Sequence, residues 1–154
     1  MAQTPEVSRA NTPDAPAGTV QTAGVPSGPD AARPLIVVVD DDRAIVEGLA
    51  LLLDGWGYEV VTALSFATLE QSLPTLRRAP NLIIADHFLP ANRTGAEAVE
   101  RLRRFTGVHV PAIILTGDTT PERQDEAQLL DCQLLHKPVQ VAPLRSAVEG
   151  LAHG

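Results

Sequence analysis

The sequence predicts an α/β fold, a doubly wound parallel sheet of five β-α units, on three observations. From Leu35 onward, short apolar runs alternate with longer amphipathic stretches. The short runs are continuously apolar, as buried strands are, while the longer ones repeat their apolar residues at helical spacing. Five such pairs follow one another, and strands separated by helices in this way lie parallel with helices on both faces.

The first unit is "LIVVV" (35–39), then a helix carrying Ile45, Leu49, Leu52, Leu53 and Trp56, with Gly57 placed to end it. "YEVVTA" (58–63) is the second strand, and Ser65 is the expected cap of a helix bearing Phe66, Leu69 and Leu73. "NLIIA" (81–85) is the third, with a helix from Gly95 through Val99 and Leu102 to Phe105. "AIILT" (112–116) is the fourth. Thr120, Pro121 and Glu122 then make a helix start, with Pro at the first helical position and an acid at the positive end. "CQLLH" (132–136) is the fifth strand, and a helix through Leu144, Val148 and Leu151 closes a domain spanning 34–152.

Residues 1–33 differ in kind. Pro, Ala, Thr, Ser and Gly dominate without hydrophobic periodicity, too little apolar surface to offset ordering entropy, so this stretch reads as a disordered tail. Its start has neither a basic nor an apolar region of a signal peptide, and no apolar run reaches the ~20 residues of a membrane span. A net charge of −7 argues against direct nucleic-acid binding, which uses a basic stripe. Cys132 is the only cysteine, so no intrachain disulfide forms and a reducing compartment fits. These features together place the expected location in the cytoplasm, away from membranes.

Ligands of such sheets bind at the carboxyl ends of the strands. There the first strand runs into Asp40, Asp41 and Asp42, the third into Asp86, the fourth ends in Thr116 and the fifth leads into Lys137. Adjacent carboxylates beside a low-dielectric interior repel one another and resist losing water. A divalent cation would offset that cost, and converging hard oxygens suit Mg²⁺ together with a phosphate. Asp42, just before the helix, reads as a cap.

In these residues the chain resembles the receiver domain of two-component response regulators over 34–152. The motifs are "VVVDDD" for the acidic pair, "LIIADHFLP" for the phosphoacceptor strand, "IILTGD" for the switch hydroxyl and "HKPV" for the Lys-Pro. The resemblance implies strand order 2-1-3-4-5, as in flavodoxin. It implies that Asp86 is the nucleophile toward a phosphohistidine, that Asp41 binds Mg²⁺ directly and Asp40 through water, and that the Phe88 carbonyl is a further metal ligand. Lys137 would neutralise the phosphoryl oxygens, Thr116 would turn toward the attached phosphate, and Lys137-Pro138 would be cis. The implied partners are a sensor histidine kinase or a His-containing phosphotransfer protein, and a downstream protein that the sequence does not name. Such a domain assists its own phosphorylation and dephosphorylation and is not a turnover enzyme.

Three features depart from the family pattern. Leu134 stands where many receivers carry an aromatic residue. The stretch from Asp86 to Gly95 is one residue longer than usual, which, with "LLHKPV", resembles receivers associated with hybrid histidine kinases. The fourth helix, "PERQDEAQLL", has few apolar anchors. Only "AHG" follows the last helix, so the expectation is a single-domain regulator that signals or relays by protein contacts. Two alternatives compete with it. A phosphorylation-independent adaptor of receiver fold would usually lack one of the site residues present here. An aspartate-nucleophile phosphohydrolase of the haloacid-dehalogenase type would carry a second aspartate two places after the nucleophile, where Phe88 stands.

Overall fold

The computed structural model describes residues 33–118 and 120–153, so the predicted tail lies outside the described residues except for Arg33. Among the described residues, seven strands and five α-helices follow in order. They are β1 (Leu35–Val39), α1 (Arg43–Gly55), β2 (Glu59–Ala63), α2 (Phe66–Ser72), β3 (Leu82–Asp86), β4 (Phe88–Leu89), β5 (Arg93–Thr94), α3 (Gly95–Thr106), β6 (Ala112–Thr116), α4 (Pro121–Leu129), β7 (Cys132–His136) and α5 (Val141–Ala152).

Five of the strands form one parallel sheet in the order β2-β1-β3-β6-β7. Counting only these five, this is the predicted order 2-1-3-4-5. The strand pleat divides the core in two. Val37, Val39, Ile83, Ala85, Ala112 and Ile114 pack with α2 and α3. Ile36, Val38, Leu82, Ile84, Ile113 and Leu115 pack with α1 and α5 on the other face. Each Val, Leu or Ile side chain among them gains about 1.5–3 kcal/mol from burial, which is why β1, β3 and β6 read as unbroken apolar runs.

Local signals set the element ends. Asp42 caps α1 by accepting hydrogen bonds from the Ala44 and Ile45 amides, Ser65 caps α2 by accepting from Thr68, and Thr120 caps α4. Pro74 shortens α2, which passes into a turn of 3₁₀ helix at Leu73–Thr75. Tyr58 precedes β2 instead of beginning it; its buried ring carries a hydroxyl 2.9 Å from His153 Nε2, tying β2 to the end of α5. α3 opens with a capping box that the sequence reading missed, Thr94 and Glu97 each bonding the other's backbone. α4 buries only Ala127, as its composition predicts, and leaves Leu129 on the surface.

Candidate functional site

The sheet carries its charged residues to one rim. Asp40 follows the last residue of β1, and its amide still reaches Ala63 O of β2 at 3.1 Å, so strand pairing fixes where this carboxylate stands. Its side chain is 1% exposed. One oxygen, Oδ1, accepts the Asp42 amide at 2.9 Å. The other, Oδ2, is buried and without a hydrogen-bond donor; Lys137 Nζ faces it as an ion pair at 3.5 Å. Burial raises the Asp40 pKa most, the Asp42 amide lowers it, and the charge of Asp86 raises it; the outcome lies above the ordinary carboxylate value.

Asp86 ends β3, and Lys137 Nζ sits 2.9 Å from its Oδ1. That ammonium therefore bridges two carboxylates. Burial alone would depress its pKa, but the Asp86 hydrogen bond and the charges of Asp40 and Asp86 together carry it above the ordinary lysine value. Its backbone is held too: the Lys137 amide donates to Thr116 O at 2.8 Å, and the Lys137-Pro138 bond is cis. Asp41 is exposed at the mouth of the site. Among the described residues, Asp40, Asp41 and Asp86 are a group whose carboxylate oxygens lie within 4.8 Å of one another.

Thr116 is buried at the end of β6. Its hydroxyl donates to Asp118 O and accepts from Asp118 N, both at 3.0 Å, so the predicted switch hydroxyl is engaged with its own loop. Phe88, two residues after Asp86, is 64% exposed. It lies in β4, which pairs antiparallel with β5 through Phe88↔Thr94 and Leu89↔Arg93. Gly95 N donates to His87 O at 2.9 Å, and hydrogen-bonded positions alternate along such a pair. The Phe88 carbonyl therefore faces away from the hairpin. The long loop is this hairpin, turned by Pro90-Ala91-Asn92 with Ala91 and Asn92 at φ 63° and 62°. Asn suits that conformation and Ala does not.

Sequence reading placed Gly95 only as a helix start. The structure gives it a stricter role. A Cβ there would overlap the Asp86 carbonyl and meet Ile114 Cδ1 at 3.2 Å. α3 thus approaches the end of β3 more closely than any side chain allows, and Asp86 is backed by this contact. The signal available was the glycine itself at the start of a helix.

The donor set fits a hard divalent cation. All the candidate ligands are oxygens, Asp40 Oδ2 is buried and lacks a donor, and the nearest cation is an ammonium already hydrogen-bonded to Asp86. Burial raises the pKa of the Cys132 thiol. Trp56 packs on the α1–α5 side with Arg145 over its ring at 5.2 Å.

Comparison with known proteins agrees with this geometry. The family described as "Response regulator receiver domain" matches residues 36–149. The chain is 36% identical over 83 residues to the phosphate regulon transcriptional regulatory protein PhoB of Pseudomonas aeruginosa, a stretch that is 53% of this chain and 35% of that protein. Well under two thirds of the regulator is therefore covered. Among solved structures, the chemotaxis protein CheY4 of Vibrio cholerae superposes with a TM-score of 0.68 at 27% identity, covering 78% of this chain and 99% of that one. A response regulator receiver domain protein from Clostridium thermocellum gives 0.69 at 26%, covering 78% and 94%. No helix among the described residues is long and apolar enough to cross a membrane. With the match running from β1 into α5 and the acidic rim where the fold puts its ligands, this chain belongs to the response regulator receiver domain family.

Proposed function

We propose that Asp86 accepts a phosphoryl group from a phosphohistidine, borne by a sensor histidine kinase or a His-containing phosphotransfer protein, and that the modified domain acts through protein contacts. The observation that carries this reading is the ammonium of Lys137 bridging Asp86 and a buried Asp40 whose Oδ2 lacks a donor. An Asp86 oxygen attacks phosphorus, the P–N bond breaks, and the imidazole leaves with the electron pair and takes up a proton from water. Lys137 stands where it neutralises a phosphoryl oxygen, and Thr116 exchanges its Asp118 carbonyl acceptor for another. Asp40, Asp41, Asp86 and the Phe88 carbonyl would hold Mg²⁺. Bound there, the cation supplies charge neutralisation on the transferring oxygens.

The domain in this reading assists its own phosphorylation and dephosphorylation and turns over no other substrate, working in the cytoplasm. The lengthened acceptor loop and "LLHKPV" support a place in a phosphorelay beside hybrid histidine kinases. Phe88 has no proton to give, which leaves the phosphohydrolase alternative without its acid. Acetyl phosphate tests the reading: intact mass should show one added phosphoryl group in Mg²⁺. Formation of the same adduct in Asp86→Asn, or in excess EDTA, would overturn it.

A further inference from the structure

The segment after Asp86 and helix α4 meet at one residue. Arg123, in the first turn of α4, places its guanidinium 5.7 Å from the centre of the Phe88 ring. His87 packs edge-on against that same ring, centroids 4.3 Å apart. Arg123 Nη1 pairs with Glu126 at 2.9 Å, and Nε lies 3.9 Å from Asp118, the residue whose backbone holds the Thr116 hydroxyl. His87, Arg123, Ala127 and Leu134 line a cavity of about 30 Å³ under α4, bordered by Ala96 of α3 and Ile114 of β6.

Two atoms in this cluster are buried without a hydrogen-bond partner, His87 Nε2 and Arg123 Nε. A cavity that small admits a water-sized group and nothing larger, so the unmet atoms do not mark a ligand site. They mark a loosely fastened seat, because each unmet polar group costs stability. α4 has little else to hold it, with Ala127 its one buried residue. Two routes from the site thus converge on Arg123: through His87 and Phe88, and through Thr116 and Asp118.

We propose that Arg123 is a positioning residue that ties α4 to the acceptor loop, so that a shift of α4 alters the reactivity of Asp86 and a group attached to Asp86 is felt in α4. The second half rests on the proposed phosphorylation; the first does not. By covering the Phe88 ring, Arg123 restrains the segment whose Phe88 carbonyl, aimed by the hairpin, is one of the expected metal ligands. Leu134 leaves no aromatic ring on β7 for this task, and the ring instead stands two residues after Asp86. Coupling of this kind is reciprocal, so a partner that grips α4 would change how fast Asp86 is modified.

Amide hydrogen exchange on the unmodified full chain tests the tie directly. Arg123→Ala should speed exchange by about two- to fivefold in both α4 and residues 87–94, leaving β1 and β3 unchanged. Arg145→Ala, which removes a guanidinium from Trp56 on the opposite side, should leave residues 87–94 as they were. Acceleration confined to α4 would overturn the proposal. If Arg123→Ala fails to fold, Arg123→Lys decides, since it keeps the charge and loses the planar face that covers Phe88. With acetyl phosphate and Mg²⁺, the maximal rate of modification of Arg123→Ala should fall several-fold while the half-saturating donor concentration stays put; an unchanged maximal rate also overturns it. A wild-type protein that takes up no phosphoryl group would remove the reading of Asp86 and leave the tie to be decided by exchange.

Discussion

Replacing Asp40 by Asn should make the cation-free domain more stable while abolishing its response to Mg²⁺. Two Coulomb contributions act on the Asp40 carboxylate. Lys137 at 3.5 Å attracts it by about 5 kcal/mol at an effective dielectric of 20. Asp86, whose oxygen lies within 4.8 Å, repels it by at least about 3.5 kcal/mol on the same scale. The attraction that remains is about 1 kcal/mol, against a desolvation penalty of several kcal/mol for a charge taken out of water. With the side chain 1% exposed, desolvation wins. Asn keeps the oxygen that accepts the Asp42 amide, so the substitution removes the cost and spares that bond.

A net gain of about 1 kcal/mol corresponds to a rise of about 4 °C in Tm for a domain of this size. The assay is thermal melting of both proteins in EDTA and in Mg²⁺. Wild type should gain stability from the ion by mass action, and Asp40→Asn should gain little. The pH dependence follows from the same residue. Its folded pKa lies above the ordinary value of 3.8, so between those two values the folded state binds more protons than the unfolded one. Stability of the wild type therefore falls as pH rises through that window, and the advantage of Asn opens there and is absent below it. An Asp40→Asn protein less stable than wild type in EDTA at neutral pH would refute the reasoning and show that the Lys137 pairing outweighs burial.

The remaining predictions concern the residues that flank the two carboxylates. Lys137→Met should cost about 2–4 kcal/mol in denaturant melts, since it strands a buried charge, and should lose phosphorylation; a loss under 1 kcal/mol would mean the carboxylates are solvated without it. Because the folded Lys137 pKa is raised, its contribution is complete below 10.5 and should vanish as pH rises through the folded value, a decline that Lys137→Met should not show. Gly95→Ala should destabilise by about 1–3 kcal/mol by forcing α3 off the Asp86 carbonyl. Gly48→Ala, with open space at its Cβ inside α1, should instead stabilise by about 0.5–1 kcal/mol.

Much of the architecture was legible because burial on both faces writes itself as unbroken apolar runs. "LIVVV", "NLIIA" and "AIILT" lie at the centre of the sheet and were placed to within a residue. Edge strands show the same signal at lower contrast: β2 and β7 carry exposed Glu59 and His136, and the apolar run that predicts β2 begins one residue early, at Tyr58. The β4–β5 hairpin was invisible, since two-residue strands show no periodicity. The site residues stood out because each ends a strand, and strand ends are fixed by the same hydrophobic runs. The residue pattern does not say which of Asp40 and Asp41 is buried. Neighbours in the chain point oppositely, and only the packed structure shows one buried and the other exposed. Nor could it show that Phe88, His87 and Arg123 share one contact, because α4 arrives from 35 residues further along the chain.

The central claim is that Asp86 carries the phosphoryl group, and one measurement tests it most directly. An acyl phosphate is reduced by borohydride to an alcohol, which turns the modified aspartate into homoserine. After treatment with acetyl phosphate and Mg²⁺, reduction and proteolysis, peptide mass spectrometry should find homoserine at position 86 and at none of Asp40, Asp41 or Asp42. Homoserine at any of those three, or its absence from position 86 in a protein that has gained a phosphoryl group, would contradict the account.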